Sequence, residues 1–102
     1  MRLPFERVGL VINPTAGAHK AARIGEQVRS DLAERQIPFV DLSGTDAPQA
    51  IAQIRDAVRI GAIDRLVAVG GDGMVNLATN ALSGSGVPLV IVPAGTGNDL
   101  AA

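Results

Sequence analysis

Residues 65–82 read RLVAVGGDGMVNLATNAL, and the fold turns on how this stretch is taken. Leu66, Val67, Ala68 and Val69 make a short apolar run of the kind found in a strand covered on both faces. Gly70, Gly71 and Gly73 then form a turn in which backbone can come close to a ligand, and an amphipathic helix follows. Asp72 is the one charge in that turn. A strand that passes through glycines into a helix leaves amide N–H groups facing outward at a positive helix end, which suits phosphate. The stretch therefore reads as a nucleotide-phosphate site.

Strand and helix patterns alternate on both sides of it. Residues 7–13, RVGLVIN, carry Val8, Leu10, Val11 and Ile12 in a nearly continuous apolar run. Pro14 ends that run, and the polar loop NPTAGAHKA follows. Across residues 21–36, Ile24, Val28 and Leu32 recur every four positions, mostly opposite Glu26, Arg29, Asp31, Glu34 and Arg35, so a helix packs by one stripe. Gly25 lowers the propensity of that helix by about 1 kcal/mol relative to alanine and marks close packing against the sheet. Residues 37–43, IPFVDLS, supply a second strand, and Asp46 with Gln49 three positions later resembles a capping box. The second helix turns Ala47, Ile51, Ile54 and Val58 inward and leaves Gln53, Arg55, Asp56 and Arg59 in water; Gly61 stops it. After the third helix, residues 88–95, PLVIVPAG, form a fourth strand that runs into glycines. The order β-α-β-α-β-α-β predicts a three-layer, doubly wound, mostly parallel α/β sheet of Rossmann-like type.

Composition narrows the function. The chain has 102 residues, 47% of them hydrophobic, which is the scale of one small domain. Nine basic residues against ten acidic ones, with Lys20 the only lysine, give no nucleic-acid footprint and no polybasic membrane anchor. Without cysteine there are no disulfides, thiolate metal sites or cysteine nucleophiles. The amino-terminal stretch is too mixed in charge for a signal peptide, and no run of about 18 apolar residues is present, so a cytoplasmic protein is expected. Residues 93–102, PAGTGNDLAA, look like a turn entering a helix that stops after its first residues, which points to a piece of a longer protein.

In a parallel sheet the loops after strands one, three and four emerge at one carboxyl edge and make a crevice there. They bring Asn13, Pro14, Thr15 and Gly17; Gly70, Gly71, Asp72 and Gly73; and Gly95, Thr96, Gly97, Asn98 and Asp99. A dinucleotide fingerprint would need glycine at position 76, where Asn76 stands, and a P-loop would need a Gly-Lys-Ser/Thr triplet, which is absent. His19 is the only histidine and reads as a solvated loop side chain. Asp72 has two readings: a turn residue favoured at a helix start, or a carboxylate that holds Mg²⁺ or accepts a hydrogen bond beside bound phosphates. Its three glycine neighbours favour the second. Asn76 lies one helical turn beyond Asp72 on the same side of the crevice, and Asn80, a further turn on, is read as solvent-facing.

With these residues assembled, the sequence resembles the catalytic domain of the diacylglycerol kinase and sphingosine kinase family, bacterial soluble lipid kinases in particular. Three motifs carry the resemblance in order and spacing: NPTAG at residues 13–17, GGDGMVN at 70–76 and PAGTGNDLA at 93–101. The second is shared with NAD kinases and phosphofructokinases; the third points to lipid kinases. The resemblance implies ATP-dependent phosphorylation of a lipid hydroxyl, with Mg²⁺ as cofactor. Asn13, Pro14, Thr15 and Gly17 would contact the nucleotide, Gly70, Gly71 and Gly73 would surround its phosphates, and Gly95, Thr96 and Gly97 would complete the cradle beside Asn98. Asp72 would act in catalysis by positioning Mg-ATP, and Asp99 would serve as a metal or structural contact. Members commonly have Thr where this chain has Met74 and an acidic residue where it has Leu77. The resemblance further implies that these residues are an N-terminal nucleotide-binding domain, inactive alone, with the acceptor-lipid site and catalytic base mainly in a β-rich domain that follows. The full-length parent would then touch the inner membrane face peripherally, and apolar surface left bare in the fragment would favour a homodimer. Two other readings remain: an NAD kinase-like enzyme acting on a soluble nucleotide, and a non-catalytic nucleotide sensor, the latter motivated by Met74 and Leu77.

Overall fold

A computed structural model of the chain describes residues 7–12 and 19–94. Four parallel strands, β1 (Val8–Ile12), β2 (Phe39–Asp41), β3 (Arg65–Gly70) and β4 (Leu89–Pro93), lie in the order β2-β1-β3-β4. Helices α1 (His19–Glu34), α2 (Ala47–Arg59) and α3 (Asp72–Leu82) make the three crossovers. This is the doubly wound α/β fold that the alternation predicts. The strand that opens the quoted stretch is interior, paired with β1 on one side and β4 on the other.

Alternate strand residues face opposite layers. Leu10, Ile12, Val67, Val69 and Val92 pack under α1 with Ala21, Ile24 and Val28. Val11, Leu66, Ala68, Leu89 and Ile91 pack under α2 and α3. Helix α3 meets them with Met74, Leu77, Ala78, Ala81 and Leu82, an i, i+3, i+4, i+7, i+8 stripe that is buried throughout. In α2 the buried positions are Ala50, Ile54 and Ala57, with Ile51 and Val58 half-buried and Ala47 exposed. The expected stripe is thus rotated, because alanines at 50 and 57 let the helix approach the sheet more closely than Ile51 and Val58 would.

The helix ends follow local rules. Asp46 caps α2 by accepting from the Gln49 N–H at 2.9 Å. The return arm of the expected box is displaced by one residue, since Gln49 Oε1 accepts from the Thr45 N–H at 2.6 Å. Gly61 takes a positive φ of 74° just past α2, and the Ala62 N–H reaches back to the Ala57 carbonyl at 2.8 Å, as in a Schellman stop. Pro93 interrupts no bond to β3: the Pro88 carbonyl and the Ala94 N–H both bond β3, and because alternate residues of a parallel strand turn to the same neighbour, position 93 faces away from it, where a missing N–H is tolerated.

Gly25 is buried in α1, and a Cβ there would lie 2.9 Å from Ile12 Cγ1 and closer still to Ile12 Cδ1. Two effects of Gly25→Ala then oppose each other. Helix propensity gains about 1 kcal/mol, while overpacking a filled core costs about 1–3 kcal/mol. Overpacking is the larger because Ile12 is itself buried and its Cγ1, as well as the chain end at Cδ1, stands in the way. Gly25→Ala is expected to lower the unfolding free energy by up to about 2 kcal/mol in urea titrations, although alanine is the better helix former.

Candidate functional site

The strand order places three strand ends side by side. Ile12 is in register with Val69, and Gly70 with Pro93. The Ala94 N–H donates to the Gly70 carbonyl at 3.0 Å, tying the chain that leaves β4 to the last residue of β3. From β1 the chain turns outward to β2, while β3 enters on the opposite side of β1. The carboxyl ends of β1 and β3 therefore flank a topological switch point, where ligands bind in open α/β sheets.

Gly71 caps α3 in an extended conformation, φ −104° and ψ −150°, and its carbonyl accepts from the N–H groups of Met74 at 3.0 Å and Val75 at 3.1 Å. It has no side chain with which to cap, and no side-chain cap bond is made. Among the described residues, no acceptor is recorded for the first-turn amides of Asp72 and Gly73. A Cβ built on Gly73 meets nothing within 4 Å among the described residues. Packing among the described residues therefore does not require glycine at this helix start. Asp72 is exposed and is the one acidic residue of that turn; Asn76 is exposed one turn further along the same side.

The other predicted site residues divide differently. Asn13, Pro14, Thr15, Gly17, Gly95, Thr96, Gly97, Asn98 and Asp99 lie outside the described residues, and the structure adds only where β1 and β4 deliver them. Asn80 is exposed, as expected, and its Oδ1 accepts from Arg55 at 3.1 Å, joining α2 to the end of α3. His19 is the exposed first residue of α1. Met74 and Leu77 are buried in the layer between α3 and the sheet, 3% and 9% exposed. Their departure from the common family residues therefore changes core packing and removes nothing from the polar face that carries Asp72 and Asn76.

Sequence reasoning missed the end of β2. The Leu42 N–H still donates to the Leu10 carbonyl at 2.7 Å, but the next ladder bond is made by a side chain: the Ile12 N–H donates to Ser43 Oγ at 2.8 Å. Ser43 in turn donates its N–H to Asp41 Oδ1 at 2.9 Å, and Asp41 is paired with Arg29 of α1, which also meets Glu26 at 2.6 Å. Partial burial alone would push the Asp41 carboxyl up. The Arg29 guanidinium and the Ser43 amide and hydroxyl outweigh it and hold the group below its ordinary value. The pairing with Asp41 holds the Arg29 guanidinium above its own. The signal available in the sequence was a charged and a hydroxyl residue closing an apolar strand, a pattern too common to single out.

For a divalent cation, the described residues contain no group of three or more His, Cys, Asp or Glu side chains. Asp72 is a single carboxylate beside open amides. That fits Mg²⁺ carried on a nucleotide, which keeps several waters and takes one or two carboxylates besides the phosphates.

Fold and site together define an α/β protein with a glycine turn at the carboxyl edge of a parallel sheet. Comparison with known proteins gives the family: the diacylglycerol kinase catalytic domain matches residues 7–102, and the chain belongs to it. It is 37% identical over 93 residues to a diacylglycerol kinase of Mycobacterium tuberculosis, a match that covers 91% of this chain and 30% of that protein. It is 33% identical over 104 residues to human sphingosine kinase 1, covering 94% of this chain and 27% of the relative. A putative lipid kinase of Bacillus subtilis, YtlR, is 29% identical over 93 residues, with 87% and 30% covered. The chain thus spans under a third of the length of the curated relatives it matches.

The Asp41 ion pair sets a pH dependence. Because its folded pKa is depressed, its stabilisation is complete above the unfolded carboxylate value of about 3.9 and is lost as pH falls through the folded value. Urea midpoints measured between neutral pH and about pH 3 should fall less in Asp41→Asn than in the wild type, the two curves converging at the acid end.

Proposed function

We propose that the chain is the nucleotide-binding part of an ATP-dependent lipid kinase, and that it binds Mg-ATP across the sheet edge between β1, β3 and β4. The observation that carries this reading is the start of α3, which has no side-chain cap: amides at residues 72 and 73 with no acceptor among the described residues, no Cβ at 73, and one exposed carboxylate, at the centre of three adjacent strand ends. Family membership supplies the reaction class.

In the reaction, an acceptor hydroxyl oxygen forms a bond to the γ-phosphorus as the bond from that phosphorus to the β,γ-bridging oxygen breaks. ADP leaves, and the hydroxyl proton passes to a base outside this chain. Phosphoryl transfer asks the protein mainly for position and charge neutralisation. The backbone N–H groups at 72 and 73 donate to phosphate oxygens, and the helix start adds its partial positive charge. Mg²⁺, when bound, would be held by Asp72 and would neutralise phosphate charge. Without a cation the Asp72 carboxylate would repel the phosphates, so its place in the turn favours a metal-nucleotide over a free anion. The acceptor is a lipid hydroxyl, by kinship with proteins named diacylglycerol kinase and sphingosine kinase. Its pocket and the catalytic base lie in the part of the enzyme this chain does not include, so the chain alone binds nucleotide without turning it over.

Titration calorimetry with Mg-ATP should show that Asp72→Asn and Gly73→Ala each weaken binding by about tenfold or more, the scale of a lost charge-assisted bond. Gly73→Ala should meanwhile unfold no earlier than the wild type, since its Cβ enters open space and alanine favours the helix by up to about 1 kcal/mol. Undiminished affinity in both variants would sink the assignment. For the acceptor, labelled-phosphate transfer by the full-length protein should appear with diacylglycerol or a sphingoid base. Transfer to NAD alone would reject the lipid reading.

A further inference from the structure

We infer that Ser43 is a positioning residue for the nucleotide site, acting through the Ile12 amide at the carboxyl end of β1 and anchored by the Asp41–Arg29 pair. This rests on the Mg-ATP reading above and extends it to residues that touch neither the glycine turn nor its amides.

The geometry makes the case at the point where β2 and β1 part. Backbone pairing between them runs Val8 with Phe39, Gly9 with Val40 and Leu10 with Asp41, and ends with the Leu42 N–H on the Leu10 carbonyl. One step further, the backbone of β2 has turned toward α2, and the Ile12 N–H would lose its partner at the sheet edge nearest the crevice. Ser43 Oγ takes that bond at 2.8 Å. The side chain thus extends the ladder by one rung while the backbone departs, which opens the edge without releasing β1.

The rung is itself held. Asp41 Oδ1 accepts the Ser43 N–H at 2.9 Å, and the Asp41 carboxylate is gripped by Arg29 from α1. A hydroxyl that accepts from Ile12 can donate its own proton to that carboxylate, so the chain of donors runs from Ile12 through Ser43 to Asp41, with Arg29 closing it from above. The Ile12 side chain is confined as well, since it fills the space that Gly25 leaves in α1. Ile12 is in register with Val69, next to Gly70. Backbone and side chain together set where β1 ends relative to the residue 70–73 turn, and so the width of the site between them. Serine is suited to the task because a short hydroxyl reaches the amide at one position beyond the last backbone bond; threonine carries the same hydroxyl, and alanine carries none.

The test combines amide hydrogen exchange at Ile12, thermal unfolding and Mg-ATP affinity, measured in the full chain for wild type, Ser43→Ala, Ser43→Thr and Asp41→Asn. Ser43→Ala should speed exchange at Ile12 and weaken Mg-ATP binding about three- to tenfold, the worth of one hydrogen bond at the site edge. Ser43→Thr should restore both, and Asp41→Asn should move both in the same direction as Ser43→Ala by a smaller factor. Faster exchange at Ile12 with unchanged affinity would make Ser43 merely structural and overturn the inference. Weaker affinity with unchanged Ile12 exchange would make it a direct ligand contact and overturn it too. Should Ser43→Ala unfold, Asp41→Asn supplies the same two measurements, and either result without the other overturns the inference in the same way. A wild type that fails to bind Mg-ATP while its Ile12 amide responds as expected would fault the nucleotide reading and leave the hydrogen-bond geometry intact.

Discussion

Strand β3 is bonded along both edges and covered on both faces, and its end at Gly70 is the constraint from which the site follows. A buried backbone must find partners for every N–H and C=O group. Within the sheet β1 and β4 supply them. At the edge the supply fails, because the chain leaves the ladder and enters a helix whose first amides have no acceptor of their own. Most helices answer with a Ser, Thr, Asp or Asn at the cap. Glycine at 71 makes no side-chain cap bond, at a cost of only about a few tenths of a kcal/mol against a good cap, and it does so between the ends of β1 and β4.

Helix α2 shows the contrast within the same chain. There the Asp46 side chain accepts from the Gln49 N–H, Gln49 reaches back to Thr45, and Pro48 brings no N–H to the first turn. Both helices follow strands of one parallel sheet and start at the same carboxyl edge, so that edge alone does not distinguish them. The cap residue does. One helix start is closed by its own side chains and the other is open, and the open one sits on the interior strand.

Much of this could be read in the residues. Long apolar runs, glycine turns and four-residue spacings report on burial and backbone freedom, which are local in sequence, and they yielded the order of elements and the 70–73 turn. Gly25 was readable as a close contact because a glycine inside a strong helix pattern must be compensated somewhere, although its partner, Ile12, could not be named. The Ser43 bond to Ile12 was not legible: it joins positions 31 apart and depends on where two strands diverge, which no periodicity records. The inward face of α2 was misjudged for a related reason. Alanine is neutral in a hydrophobic stripe, and only the distance between helix and sheet decides whether Ala50 and Ala57 or Ile51 and Val58 lie deepest. Met74 and Leu77 looked like losses from the site when judged by motif; their burial assigns them to the core.

Magnitudes explain why the turn at residues 70–73 cannot act alone. Micromolar nucleotide binding requires about 8 kcal/mol. A helix start contributes about 0.3–1 kcal/mol toward an anion at an exposed surface and up to about 2 kcal/mol when partly buried, and two charge-assisted bonds from the amides at 72 and 73 add about 3–6 kcal/mol before the entropy of holding the ligand is subtracted. The exposed Asp72 opposes phosphate unless a cation accompanies it. On the proposed nucleotide reading, the remainder would have to come from outside the turn, and the ends of β1 and β4 beside it decide what can reach the ligand. A displacement of about 1 Å at either wall is enough to lengthen hydrogen bonds past their useful range. The hydrogen bond that holds Ile12 to Ser43 therefore matters in proportion to how little the glycine turn can supply by itself.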